Sequence, residues 1–317
     1  MEIWDVFRQQ TAFKDIEAEL EENRLSHAYI VESKDGTSSF HFARLVAMRL
    51  NCSVSRACGK CPGCLKILGG THPDVLLFPQ EKERFVVADS RAIIENSMLA
   101  PMLSNYKIFI LNNFENATEE AQNKILKLVE EPNSKTMFFI CTKNTLGILP
   151  TIRSRCRQIS LMPLPLSDVR GFVKNQNAVD FGEGWIGISS ELASRRDFDD
   201  VCEGVCKIIT GLRSSSKLIY YSKFLTSEKK DFLLRLKLLA LFFEDLLYIK
   251  ENRGSYAKMK SFSSKLADVK DDYSSSAIAK IAELITKARK EFESNVSKEV
   301  LAENLLLKIL EVKYTCK

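Results

Sequence analysis

In the first half of the chain, short apolar runs alternate with longer segments whose apolar residues recur at helical spacing. The runs are residues 27–31, 75–78, 107–111, 137–141 and 158–161, with 85–87 as a further extended piece. Helical segments are predicted from the N-terminus to Arg24 (Phe7, Phe13, Ile16 and Leu20 on one side), over 40–50, and from Leu65 to Gly69. A further one is capped by Asp89 or Ser90 and ended by Pro101, and another runs from Glu119 to Glu130 behind a Thr118 cap, with Pro132 forcing its end. Strands alternating with helices predict a parallel α/β sheet.

After Pro163 and Pro165 the strand pattern gives way to helical spacing. A small helical unit is predicted to about Leu212, with Arg213-Ser214-Ser215-Ser216 as a hinge. Helices follow near 218–225 and over 228–251, 278–294 and 297–312. The second of these is apolar nearly all round, as suits the middle of a bundle or a partner's surface. The Ser- and Lys-rich stretch 254–276 reads as a mobile connection with a short helix at its middle. The predicted domains are therefore 1–163, 164–212 and 213–317.

Length and composition bound this picture without changing it. The 317 residues, 45% of them hydrophobic, suffice for more than one core. A net charge of +5 permits contact with nucleic acid, but no dense basic stripe interleaved with aromatics argues for it. A zinc-dependent nucleic-acid binder is thus the weakest of three readings, and it would show DNA affinity with a steep salt slope. The most apolar segment, 232–249, is broken by Arg235, Lys237, Glu244 and Asp245, and spanning a bilayer takes ~20 apolar residues. With no basic-then-apolar start either, the expectation is no membrane contact and a cytoplasmic location.

Four places carry candidate chemistry. The polar loop between the first strand and its helix has the layout of a phosphate-binding loop, which needs glycines, a lysine and a Ser or Thr. Only Gly36 fits a glycine slot. Ser33 and Ser38 stand at the defining glycines, Ser39 at the lysine and Phe40 at the Ser or Thr. The strand 107–111 ends in Asn112-Asn113, where a nucleotide hydrolase carries acids for Mg²⁺ and for the attacking water; an amide cannot act as general base. Four of nine cysteines, Cys52, Cys58, Cys61 and Cys64, lie close together, the last three spaced C-x2-C-x2-C. Four thiolates suit a closed structural Zn²⁺ site, with an iron–sulfur cluster as the lesser alternative. Finally, Arg155 in Thr151-Ile152-Arg153-Ser154-Arg155-Cys156 offers a permanently charged planar group able to stabilise a γ-phosphate, or else pairs with an acid of its own domain.

Taken together, several motifs resemble the δ′ subunits of bacterial DNA polymerase III clamp loaders, degenerate AAA+ proteins. They are Ser26-His27-Ala28, the cysteine cluster, Thr71-His72-Pro73-Asp74, the stretch from Asn123 to Pro132, and Ser154-Arg155-Cys156. Phe292 to Val296 and Leu305 to Leu310 look like the end of the family's collar. The resemblance implies an AAA+ α/β domain with a zinc module, a small helical lid and an all-α collar in a pentameric ring. It implies γ/τ and δ subunits as partners, with the sliding clamp and primed DNA met through the complex. It further implies that the chain binds no ATP productively and catalyses nothing alone, within a DNA-directed DNA polymerase holoenzyme, and that Arg155 acts in trans. The family's sensor arginine would be Arg195 or Arg196. A catalytic ATPase of the γ/τ kind is the alternative; those subunits share the zinc module and serine-arginine-cysteine motif, but Ser39 and Asn112-Asn113 depart from their working site.

Overall fold

The computed structural model describes residues 2–54, 56–79, 84–133 and 135–316. The chain divides into two compact units: Met1–Phe172 with Gly184–Ile188, and Val173–Glu183 with Ser189–Lys317.

The first unit opens with α1 (Ile3–Phe7) and α2 (Thr11–Glu21). The single helix expected up to Arg24 is broken because Gln10 adopts an extended conformation and starts a second one. Strand β1 (Ala28–Glu32), α3 (Thr37–Asn51), α4 (Pro62–Leu68), β2 (Val75–Phe78), α5 (Val87–Ser97), β3 (Lys107–Leu111), α6 (Glu119–Glu130), β4 (Thr136–Thr142), α7 (Pro150–Arg153), β5 (Arg157–Ser160) and α8 (Leu166–Phe172) follow. Helix α5 begins earlier than expected. Asp89 accepts from the Val86 N–H at 2.7 Å from inside the first turn rather than standing ahead of it.

All five strands are parallel, in the order β2-β3-β4-β1-β5. The central strands are covered on both faces, so they read as continuous apolar runs. Phe109 stacks on Phe138 with ring centres 5.3 Å apart, and Ile93, Ile125 and Val129 from α5 and α6 close over them. On β1 the buried Tyr29 donates to Glu19 of α2 at 2.7 Å. The Thr71-His72-Pro73-Asp74 motif is a structural turn. His72 Nδ1 accepts from the Asp74 N–H, and the buried Asp74 carboxylate accepts from the N–H groups of Met102, Leu103 and Ser104.

The second unit is helical: α9 (Gln176–Gly182), the later part of α10 (Ile186–Ser194), α11 (Phe198–Gly211), α12 (Leu218–Thr226), α13 (Phe232–Lys250), α14 (Ser263–Ala267), α15 (Ser275–Glu293) and α16 (Lys298–Thr315). Helix α13 is its centre, as its all-round apolar pattern suggested. Phe232, Leu236, Leu239, Phe243 and Leu246 are buried among α11, α14 and α15. The stretch expected to be a mobile connection contains the short helix α14 but is packed down. Met259, Phe262, Leu266 and Tyr273 are buried, and the buried Asp245 accepts from the N–H groups of Lys258 and Met259, both at 2.8 Å. No helix among the described residues is long and apolar enough to cross a membrane.

Candidate functional site

Gly36, Ser38 and Ser39 lie in the turn between β1 and α3, and Asn112 and Asn113 follow β3, so the structure gathers them at the carboxyl ends of the parallel strands. Ligands of open α/β sheets bind at that end. Gly36 has φ +68° and caps α3. Ser39, at the lysine position, is buried, and its hydroxyl donates back to the Gly36 carbonyl at 2.7 Å. The Asn113 backbone is left-handed, and the Asn112 Oδ1 is buried without a protein partner among the described residues.

Two charged residues at this loop escaped the sequence reading. Asp35 is buried and accepts from the Ser38 N–H at 2.9 Å, the Ser38 hydroxyl at 2.9 Å and the Ser33 hydroxyl at 3.1 Å. The Ser-x-Asp-x-x-Ser spacing of Ser33, Asp35 and Ser38 was a legible self-capping pattern. Lys143, the residue after β4, lays its stem across Gly36: a Cβ placed there would sit 2.8 Å from Lys143 Cε. Nothing local in the sequence announced that contact.

The four cysteines converge. The Sγ atoms of Cys52, Cys58, Cys61 and Cys64 all lie within 4.8 Å of one another, with Cys52 and Cys64 buried. Left-handed turns at Ala57 and Gly59 bring successive sulfurs inward. The N–H groups of Cys58, Cys61 and Cys64 point at the sulfurs of Cys52, Cys58 and Cys61 at 3.4, 3.3 and 3.5 Å. The Cys64 N–H leads in pulling the Cys61 thiol down to about 6, while burial pushes the Cys64 thiol up. Such a donor set could hold a metal ion such as zinc in a closed structural role. The Trp4 ring packs on this knuckle, about 3.0 Å from where a Cβ on Gly59 would stand.

Arg155 is not part of the loop site. It precedes β5, whose Arg157 pairs with Tyr29 near the start of β1, so it stands at the amino ends of the strands. The phosphate-type loop is at the other end, about 20 Å along the strand direction. Helix α6 sets the arginine segment at two points. Gln122 donates to the Gly147 carbonyl at 3.0 Å and accepts from the Leu149 N–H at 2.8 Å, and Glu130 pairs with Arg155. Ile152 and Cys156 anchor the segment in the core, and the Arg155 guanidinium between them remains partly exposed. In the second unit, Arg195 is held by Asp197 and Asp231 while Arg196 is exposed.

A parallel five-stranded sheet with the strand order 2-3-4-1-5, a phosphate-type loop after β1 and a helical second unit define an α/β protein of the AAA+ type. Residues 8–165, just under half of the chain, match the family model described as DNA polymerase III, delta subunit. The chain is 35% identical over 147 residues to the DNA polymerase III subunit delta′ of Bacillus subtilis, covering 46% of this chain and 45% of that protein. To the tau subunit of Escherichia coli it is 28% identical over 169 residues, covering 52% and 26%. The chain thus spans less than half the length of the curated relatives it matches. Among solved structures, a gamma subunit-related protein of Thermotoga maritima aligns over 94% of this chain and 99% of its own, at 17% identity and a TM-score of 0.47.

Proposed function

We propose that this chain is a δ′-type clamp-loader subunit of DNA polymerase III that hydrolyses no ATP itself and supplies Arg155 to an ATP held by a neighbouring γ/τ subunit. In this reading γ/τ and δ subunits are its partners, and it serves as a stator while the sliding clamp is opened and placed on primed DNA. The region 164–212 is read as a lid and 213–317 as the collar that joins the ring. The observation that carries the proposal is the separation of Arg155 from its own loop. A partly exposed guanidinium at the opposite end of the sheet has no nucleotide to serve within its own chain. A guanidinium brought to a neighbour's γ-phosphate stabilises charge spreading in the transition state and couples ATP occupancy to ring geometry.

The relatives also include gamma and tau subunits, so a catalytic ATPase is the competing reading. Against it stand Ser39 turned onto the loop and the asparagines after β3. Lys143, whose stem crosses Gly36, is a structural feature in its favour. Equilibrium dialysis of the full chain against labelled Mg·ATP separates the two: no saturable binding is expected, and tight magnesium-dependent binding would overturn the proposal. In a complex reconstituted with γ/τ and δ, Arg155→Ala should assemble normally yet lower DNA-stimulated ATP turnover at least about tenfold. Unchanged turnover would remove the trans role.

A further inference from the structure

We infer that Asp35 is a built-in anion: its carboxylate fills the nest in which a working phosphate loop would hold phosphate. Such a loop binds by converging backbone N–H groups and hydroxyls at a helix start on one negative group. Here the convergence is complete without a ligand. Asp35 Oδ1 accepts from the Ser38 N–H at 2.9 Å and the Ser33 hydroxyl at 3.1 Å. Its Oδ2 accepts from the Ser38 hydroxyl at 2.9 Å and from the Gly187 N–H at 2.7 Å. The next donor, the Ser39 N–H, is taken by the Ser33 hydroxyl at 3.0 Å. Asp35 is 7% exposed, so its charge depends on these four donors rather than on water.

The second partner makes this more than a turn. Gly187 is 152 residues away in sequence yet belongs to the same compact unit, and its N–H is aimed at Asp35. A Cβ at that position would lie 2.5 Å from Thr37 Cβ and 2.7 Å from Asp35 Oδ2, so only glycine permits the approach. The carboxylate therefore fastens Gly184–Ile188 to the loop, a bridge that a phosphate would otherwise make only when bound. An incoming phosphate would have to expel a buried like charge that has already taken its donors, and the loop keeps one closed shape with no nucleotide.

This inference rests on the reading that the chain uses no nucleotide of its own, and its test separates the two. In full-length Asp35→Ala, measured in chloride buffer at matched ionic strength, the melting temperature should fall by about 5 °C. Inorganic phosphate or formate should restore it while leaving the wild type unmoved. Equal responses of variant and wild type would overturn the inference. Should Asp35→Ala not fold, Asp35→Asn keeps the size but loses the anion. Amide exchange at Ser38 and Gly187 should then accelerate at least about tenfold, and unchanged exchange would overturn it. Tight Mg·ATP binding by the wild type would instead sink the underlying reading.

Discussion

Glu130, the last residue of α6, holds Arg155 through Oε1 to Nε at 2.7 Å. The same guanidinium donates to the Thr151 carbonyl at 2.9 Å and the Ser154 hydroxyl at 3.3 Å. The acid partner within its own domain is therefore real, and a role in trans requires Arg155 to leave it. The cost of leaving is small. Both side chains are more than a third exposed, and such pairs contribute about 0–1 kcal/mol.

Glu130→Gln should accordingly leave the melting temperature nearly unchanged and free the guanidinium for a neighbour. In the reconstituted complex it is expected to raise ATP turnover at subsaturating ATP by less than about fivefold, the equivalent of about 1 kcal/mol. A fall in turnover would mean that Glu130 orients Arg155 for the reaction rather than restraining it.

This pair also shows where sequence stops being informative. The β strands, α6 with its Thr118 cap, the central α13 and the cysteine knuckle were legible because each rests on local spacing: continuous apolar runs, helical periodicity, C-x2-C. Contacts between residues far apart were not. Nothing near Asp35 announces Gly187, nothing near Gly36 announces Lys143, and neither Glu130 nor Glu131 signals which of them would meet Arg155. The packing of residues 254–276 was missed for the same reason. Met259, Phe262, Leu266, Val269 and Tyr273 do recur at three- and four-residue spacing, but Ser and Lys dominate the stretch between them, and the carboxylate that fixes its backbone, Asp245, lies on α13.

The contact of Trp4 with the cysteine knuckle gives the metal claim an optical readout. Only Trp4 and Trp185 are present, so Trp185→Phe leaves one reporter. A strong chelator should remove one equivalent of zinc, shift Trp4 emission and lower the stability of the first unit by at least about 2 kcal/mol, all reversed by zinc. Cys61→Ser with Cys64→Ser should show the same loss without chelator. Native protein free of metal on elemental analysis, with unshifted emission on chelation, would refute the site.

The adjacent arginines of the second unit differ in burial: Arg195 is half-buried and Arg196 exposed. Arg195 meets Asp231 through two bonds, Nη1 to Oδ1 and Nη2 to Oδ2, both 2.7 Å, and also meets Asp197. Asp231 is 2% exposed, with Arg235 nearby, and the Arg195 hydrogen bonds are the main cause that holds its carboxyl below the usual range. A depressed value means that the pair's contribution is present above the unfolded carboxyl range, ~3.9, and is lost as pH falls through the folded one. Asp231→Asn should therefore destabilise the second unit by about 2–3 kcal/mol at neutral pH, with the difference from wild type shrinking below about pH 4. Arg195→Ala should cost a similar amount, because it strands a buried carboxylate, whereas Arg196→Ala should change stability by less than about 0.5 kcal/mol. Arg195→Ala as stable as wild type would refute the structural clasp that its bonds to Asp197 and Asp231 describe.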